Sequence, residues 1–202
     1  MESSNLEFYR NSIDYILSVQ NKDGSIPWEL DEKLDPWDHI EATMGLSIAG
    51  KKDEAEKAFL WLSDSQLQDG SWYAEYLNSI PMTQRKETNF SAYIGTGLWH
   101  YYLIFKDKDF IENMLPTLSK ALDFVLSMQT ENGDIYWACE EGKQILDDSL
   151  ITGSSSIYKS LECAAAIFNL FDKPIESIIV SMEKLKSSIN NNPERYDRSW
   201  ES

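Results

Sequence analysis

Asp38 and Glu41 stand three residues apart in Asp35-Pro-Trp-Asp-His-Ile-Glu-Ala42. On a helix that spacing puts both acids on one face. An acid pair at a helix start can serve as general acid and general base. The competing reading is structural: Asp35 is a good N-cap, Pro36 suits the first turn, and Asp38 falls where the acid of a capping box stands. Glu75 and Glu87 lie further along, the second just before Thr88-Asn89. If the loops that carry them converge, Asp38, Glu75 and Glu87 ring one cavity as catalytic candidates. Carboxylates on either side of a sugar suit glycoside hydrolysis. Read singly, each is a solvated loop acid. Trp28, Trp37, Trp72 and Trp137 are stacking platforms for a ligand ring, with His39, Asn89 and Tyr93 as further binding candidates. Read as structure, the tryptophans after the turns are packing residues.

The elements that must position these groups are announced by a phrase repeated three times: Gln20-Asn-Lys-Asp-Gly-Ser-Ile-Pro-Trp28, Gln66-Leu-Gln-Asp-Gly-Ser-Trp72 and Gln129-Thr-Glu-Asn-Gly-Asp-Ile-Tyr-Trp137. Each follows an apolar run with helical spacing. Each reads as a helix stopped by a left-handed glycine, with Gln placed to satisfy loop amides. The pattern predicts about seven helices in one all-α domain over 1–190, followed by a polar tail, 191–202. A first helix over 5–20 and a fourth over 89–105 are expected, and the fifth, ending at Gln129, should kink or break into two pieces at Pro116. A small hairpin joining 134–138 to 143–146 around Glu141-Gly142 is also expected. Helices rich in small residues (Ala42, Gly45, Ser47; Ala92, Gly95, Gly97; Ala164 to Ala166) are followed by short links and preceded by long loops. In alternating inner and outer rows, all the long loops then fall on one face, where function gathers.

The repeated phrase resembles the QW repeat of the terpenoid cyclase and protein prenyltransferase superfamily. Together with Asp35 to Ala42, Thr88-Asn-Phe-Ser-Ala-Tyr93 and Thr152-Gly-Ser-Ser-Ser-Ile157, it makes the chain similar to bacterial proteins labelled prenyltransferase-like. The resemblance implies an α/α toroid, an architecture shared with six-hairpin glycosidases. Here it would be partial, since the helices are too few for a full ring. The superfamily's acid motifs are not reproduced. Asp147-Asp148 lacks the third acid of a metal-binding Asp-Asp-x-x-Asp, with Ile151 in its place, and no Asp-x-Asp-Asp occurs. His39 and His100 are the only histidines and neither has ligand spacing, so no metal site is expected. No cofactor is expected either, and no Gly-rich phosphate loop appears.

Net charge is −16 over 202 residues, with four arginines. Nucleic acid and anionic membrane partners are therefore excluded, because phosphate contacts need clustered cations. A prenyl diphosphate is disfavoured for the same reason, Arg85-Lys86 being the one basic spot near the long loops. No apolar run approaches a membrane span. The two cysteines and the polar start Met-Glu-Ser-Ser fit a cytoplasmic protein. Three readings follow. The first is a prenyltransferase-like toroid whose acidic, aromatic cavity binds or processes a neutral small molecule, isoprenoid or sugar-like. The second is a carbohydrate-active enzyme using paired carboxylates. The third is a non-catalytic binding or assembly module, with an open ring edge that a homo-oligomer would cover. An enzyme is preferred over the third.

Overall fold

The computed structural model describes residues 9–140 and 144–199. The helices are α1 (Arg10–Val19), α2 (Pro36–Ile48), α3 (Lys52–Ser65), α4 (Thr88–Ala92), α5 (Ile94–Phe105), α6 (Lys108–Ser127), α7 (Ile151–Asn169) and α8 (Glu176–Asn191), followed by a 3-10 turn, Pro193–Arg195. α4 and α5 are two segments of one stretch, interrupted at Tyr93. α2, α5 and α7 pack side by side in succession and form an inner arc. α1 and α3 lie against α2, α6 against α4 and α5, and α8 against α7 as the outer row. The result is a partial α/α toroid.

Small residues make the inner arc possible. A Cβ on Gly95 would collide with the Ser160 carbonyl of α7, and one on Gly97 with Ile40 of α2 and Phe59 of α3. Leu46, Phe59, Leu62, Leu98, Tyr101, Ile111 and Leu118 fill the space between the rows and are fully buried.

The repeated phrase turns out to be a clasp between outer helices. Gln66 Nε2 donates to its own Gly70 carbonyl at 2.9 Å and to the Thr117 carbonyl of α6 at 2.8 Å. Gln20 does the same to Gly24 and to Glu54 of α3, and Gln129 to Gly133 and to Ser181 of α8. Each turn thus docks on the next outer helix. Gly70 has φ +92°, and a Cβ there would land on the Lys120 carbonyl. Gly24 and Gly133 meet Lys57 and Lys184 in the same way. Trp72 closes the second copy by donating its indole N–H to the Leu62 carbonyl at 2.9 Å.

The long loops are stitched to one another. β1 (Lys33–Leu34) pairs antiparallel with β2 (Tyr76–Leu77), which pairs with β3 (Ile80–Pro81). β4 (Lys86–Glu87) pairs with β5 (Ala138–Glu140), and β5 with β6 (Gln144–Leu146). So the first loop is joined to the second, and the second to the third, on one face.

Some expectations need correcting. α6 runs as one helix through Pro116 instead of breaking there. Asn89 does not open an unbroken helix to Phe105, because the helix starts at Thr88 and is interrupted at Tyr93. The expected hairpin forms from Ala138 to Leu146, while 134–137 precede it in irregular structure and its turn at 141–143 lies outside the described residues. Of the first helix, 5–8 also lie outside them.

The polar residues after α8 are tied down. Arg195 donates Nε to the buried Asp134 at 2.5 Å and NH2 at 3.2 Å. Asp148 accepts from the backbone N–H groups of Arg198 (3.1 Å) and Ser199 (2.7 Å). The Asp147-Asp148 pair is therefore a clamp for the chain beyond α8. Burial opposes ionisation of Asp134, but Arg195, Thr130 and Ser149 together hold its carboxyl below the usual range.

Candidate active site

Asp35 caps α2 as its sequence context predicts: Oδ1 accepts from the Asp38 N–H at 2.9 Å. Its second oxygen does something no local signal announced. Oδ2 accepts from the Trp28 indole N–H at 2.8 Å, seven residues back across the first loop. The side chain is buried. Burial first, and then the charge of Asp38, push its carboxyl up to about 6, although the Asp38 N–H and the Trp28 indole N–H act the other way. A carboxyl held near neutrality in this way is suited to proton transfer at physiological pH.

Glu87 stands at the start of α4 within the field of Asp35. Burial raises its carboxyl, while Arg85 pulls it down through a 2.9 Å Nε–Oε1 ion pair. Arg85 also reaches Glu75 at 3.9 Å, and Glu75 meets Lys33 at 3.5 Å. Both cations of this chain of charges lie over aromatic faces: Lys33 Nζ is 4.1 Å from the centre of the Trp28 ring, and Arg85 is 5.9 Å from that of Trp137. The antiparallel strands explain the convergence. β1 with β2 brings Lys33 beside the Glu75 strand, and β4 with β5 brings Glu87 opposite Ala138, next to Trp137.

The other residues singled out from sequence are distributed as follows. Asp38 is exposed and lines a cavity of about 240 Å³ between α1 and α2, together with Trp28, Tyr15, Ile26 and Ala42. Trp37 stacks on Tyr93 at 3.8 Å between ring centres, and Tyr93 donates to Glu41 at 3.3 Å. Asn89 lies against Gly153 of α7. His39 and Trp72 do not reach the site. His39 is fully buried; its Nδ1 accepts from the Ile26 N–H at 3.1 Å and its Nε2 meets the Ala58 carbonyl at 2.9 Å. Burial drives its imidazole down to about 4, so it stays neutral as a brace between the first loop and α3. Trp72 is core, 1% exposed. Asp35, Lys33 and Arg85 carry no local signal of a site role, and a helix cap accounts fully for an Asp before Pro. Among the described residues, no group of three His, Cys, Asp or Glu side chains is placed to hold a metal ion. No described helix is long and apolar enough to cross a membrane.

Solved structures share this fold. The unsaturated glucuronyl hydrolase of Bacillus sp. GL1 superposes with a TM-score of 0.69 at 16% identity, over 95% of this chain and 57% of its own. Cellobiose 2-epimerase from Spirochaeta thermophila gives 0.64 at 14%, over 94% and 55%. A Clostridium perfringens α-amylase gives 0.66 at 13%, over 88% and 52%. At these identities the likeness is one of fold, the α/α toroid, and the chain spans about half of each neighbour. At the sequence level it is 36% identical over 187 residues to an MMP endo-(1,4)-3-O-methyl-α-D-mannosidase of Mycolicibacterium hassiacum. That match covers 93% of this chain and 52% of the relative, so the chain spans about half the relative's length. No family model matches.

Proposed function

We propose that the chain carries the carboxylate side of a glycoside hydrolase site for a neutral, α-linked glycan, with Asp35 as proton donor. The observation that carries this reading is the Asp35 carboxyl: buried, pushed up to about 6, bonded to Trp28, and in the field of Glu87 and Asp38. Below that pH Asp35 holds the proton that a departing glycosidic oxygen needs. As the bond from the anomeric carbon to that oxygen breaks, the Asp35 proton moves to the oxygen. A water adds to the anomeric carbon and gives its own proton to Glu87. Arg85 favours the charged form of Glu87 that accepts this proton. Glu75 steadies Arg85, and the charge of Asp38 keeps Asp35 protonated. Trp28 and Trp137 offer sugar-stacking surface beside the cations that lie over them, Lys33 and Arg85.

The name of the 36% identical relative supports an α-mannoside bearing 3-O-methyl ethers as the first substrate to test. The isoprenoid alternative has no such support, and the cations near the carboxylates are already engaged by Glu75 and Glu87. The test is release of reducing ends from 3-O-methylated α-1,4-manno-oligosaccharides. Cleavage should decline as pH rises above about 6, following Asp35. Asp35→Asn should lower the rate by about 10²–10⁴-fold. An Asp35→Asn chain as active as the parent would refute the assignment. A Mg²⁺-dependent thermal shift with isoprenoid diphosphates, and none with sugars, would refute the substrate class.

A further inference from the structure

The three-stranded β1–β2–β3 sheet has two unlike faces. Residues directly opposite one another in antiparallel strands share a face. Leu34 and Tyr76 therefore point together into the core, where both are buried. Lys33, Leu77 and Ile80 point the other way. Trp28 joins that outward face, because its N–H bonds the Lys33 carbonyl at 2.9 Å and the Lys33 ammonium lies over its ring. Glu75 and Met82 join it by the two-residue alternation of their strands, with the Met82 N–H donating to the Glu75 carbonyl at 2.9 Å. One surface thus carries the Lys33–Glu75 ion pair toward the carboxylates and, alongside it, four apolar side chains. Three of them stand well into solvent: Trp28 47% exposed, Met82 57% and Ile80 65%. Large apolar side chains clustered in the open at the edge of a charged cleft suit a binding surface. The hairpin that presents them is held at its tip, where Ser79 donates to Asp23 at 2.7 Å and accepts from the Trp61 indole at 3.2 Å.

We propose that this face is a sugar subsite that reads O-methyl groups, with the pyranose ring against the part of Trp28 that Lys33 leaves exposed and Leu77, Ile80 and Met82 against the ether methyls. This rests on the glycan-hydrolase reading above. Hydroxyls of an unmodified sugar would meet carbon here and lose water contacts without replacement, whereas methyl ethers would bury apolar surface. The face includes Glu75, which Arg85 links to Glu87, so its occupant is a residue of the same glycan chain that reaches the carboxylates.

The experiment is calorimetry on the chain at pH 8, where Asp35 is ionised and cleavage is suppressed. The titrants are two α-1,4-manno-oligosaccharides of equal length, one 3-O-methylated and one bare. Each covered methyl should tighten binding by about fourfold. Ile80→Ser and Met82→Gln, singly and together, should bring the ratio of the two affinities toward one. Both side chains are exposed, and residual binding of either sugar reports that the variants fold. Equal affinities for the two sugars in the parent chain would overturn the subsite while leaving the glycan reading intact. So would a methyl preference that survives both substitutions. Binding of neither sugar would overturn the glycan reading, and the subsite with it.

Discussion

Two buried ionisable residues of opposite character, the cap Asp35 and His39, sit four positions apart at the start of α2, and their titrations oppose each other. Asp35 is raised from 3.8 to about 6. Its contribution to stability is complete below the unfolded value and is lost as pH rises through about 6. His39 is lowered from 6.5 to about 4. Its neutral form is favoured in the fold, so its contribution is complete above 6.5 and is lost as pH falls toward 4. Each effect is worth about 3 kcal/mol. In the parent chain they largely offset each other between pH 4 and 6.5. Asp35→Asn should unmask the histidine. Stability measured by urea titration should then climb by about 3 kcal/mol from pH 4 to 6.5, where the parent is nearly flat. A flat profile in the variant would mean that His39 is not a neutral brace.

At the scale of elements, the clasp explains why three unequal loops leave one regular ring. The Gln carboxamide and Gly turn of each outer helix occupy the same place on the next outer helix, whatever the loop does afterwards. Gly70→Ala should therefore be much worse than an ordinary glycine substitution. It forces an alanine to φ +92° and drives a methyl into the Lys120 carbonyl. A loss of about 3 kcal/mol or more is expected. Gln66→Ala removes one carboxamide that serves two carbonyls and should cost about 1–2 kcal/mol. Chemical denaturation checks both, and the order of the two losses is the decisive outcome.

For the molecule as a whole, the chain beyond α8 returns to the long-loop face and locks the third loop, which carries Trp137. Ser149 pairs with Tyr196, and the buried Asp134 has Arg195 as its ion-pair partner. Arg195→Ala would leave that carboxylate buried and unpaired, at a cost of about 3 kcal/mol. Because Asp134 is held below its ordinary value, the parent keeps this stability above the unfolded value and loses it as pH falls through the folded one. The difference between parent and Arg195→Ala should therefore be full at pH 7 and shrink under acid, as thermal unfolding at a series of pH values would show.

The sequence by itself determined the helices, their inner and outer rows and the gathering of the long loops. Those rest on periodicity, small residues and glycine turns, all read within a few neighbours. It also supplied Glu75, Glu87, Trp28 and Trp137 as candidates, because residue type and loop position are local facts. Local logic is right that Asp35 caps α2 and that Trp72 is a packing residue, but it does not show how deeply Asp35 and His39 are buried. A cap accounts for Asp35 from its neighbours alone, and the partners that bury His39 and Trp72 include groups on α3. Only the tertiary structure decided which acid is desolvated, which cations face which carboxylates, and that Asp148 clamps the returning chain. Burial and charge pairing across loops dozens of residues apart depend on distances in space, and sequence spacing does not encode them.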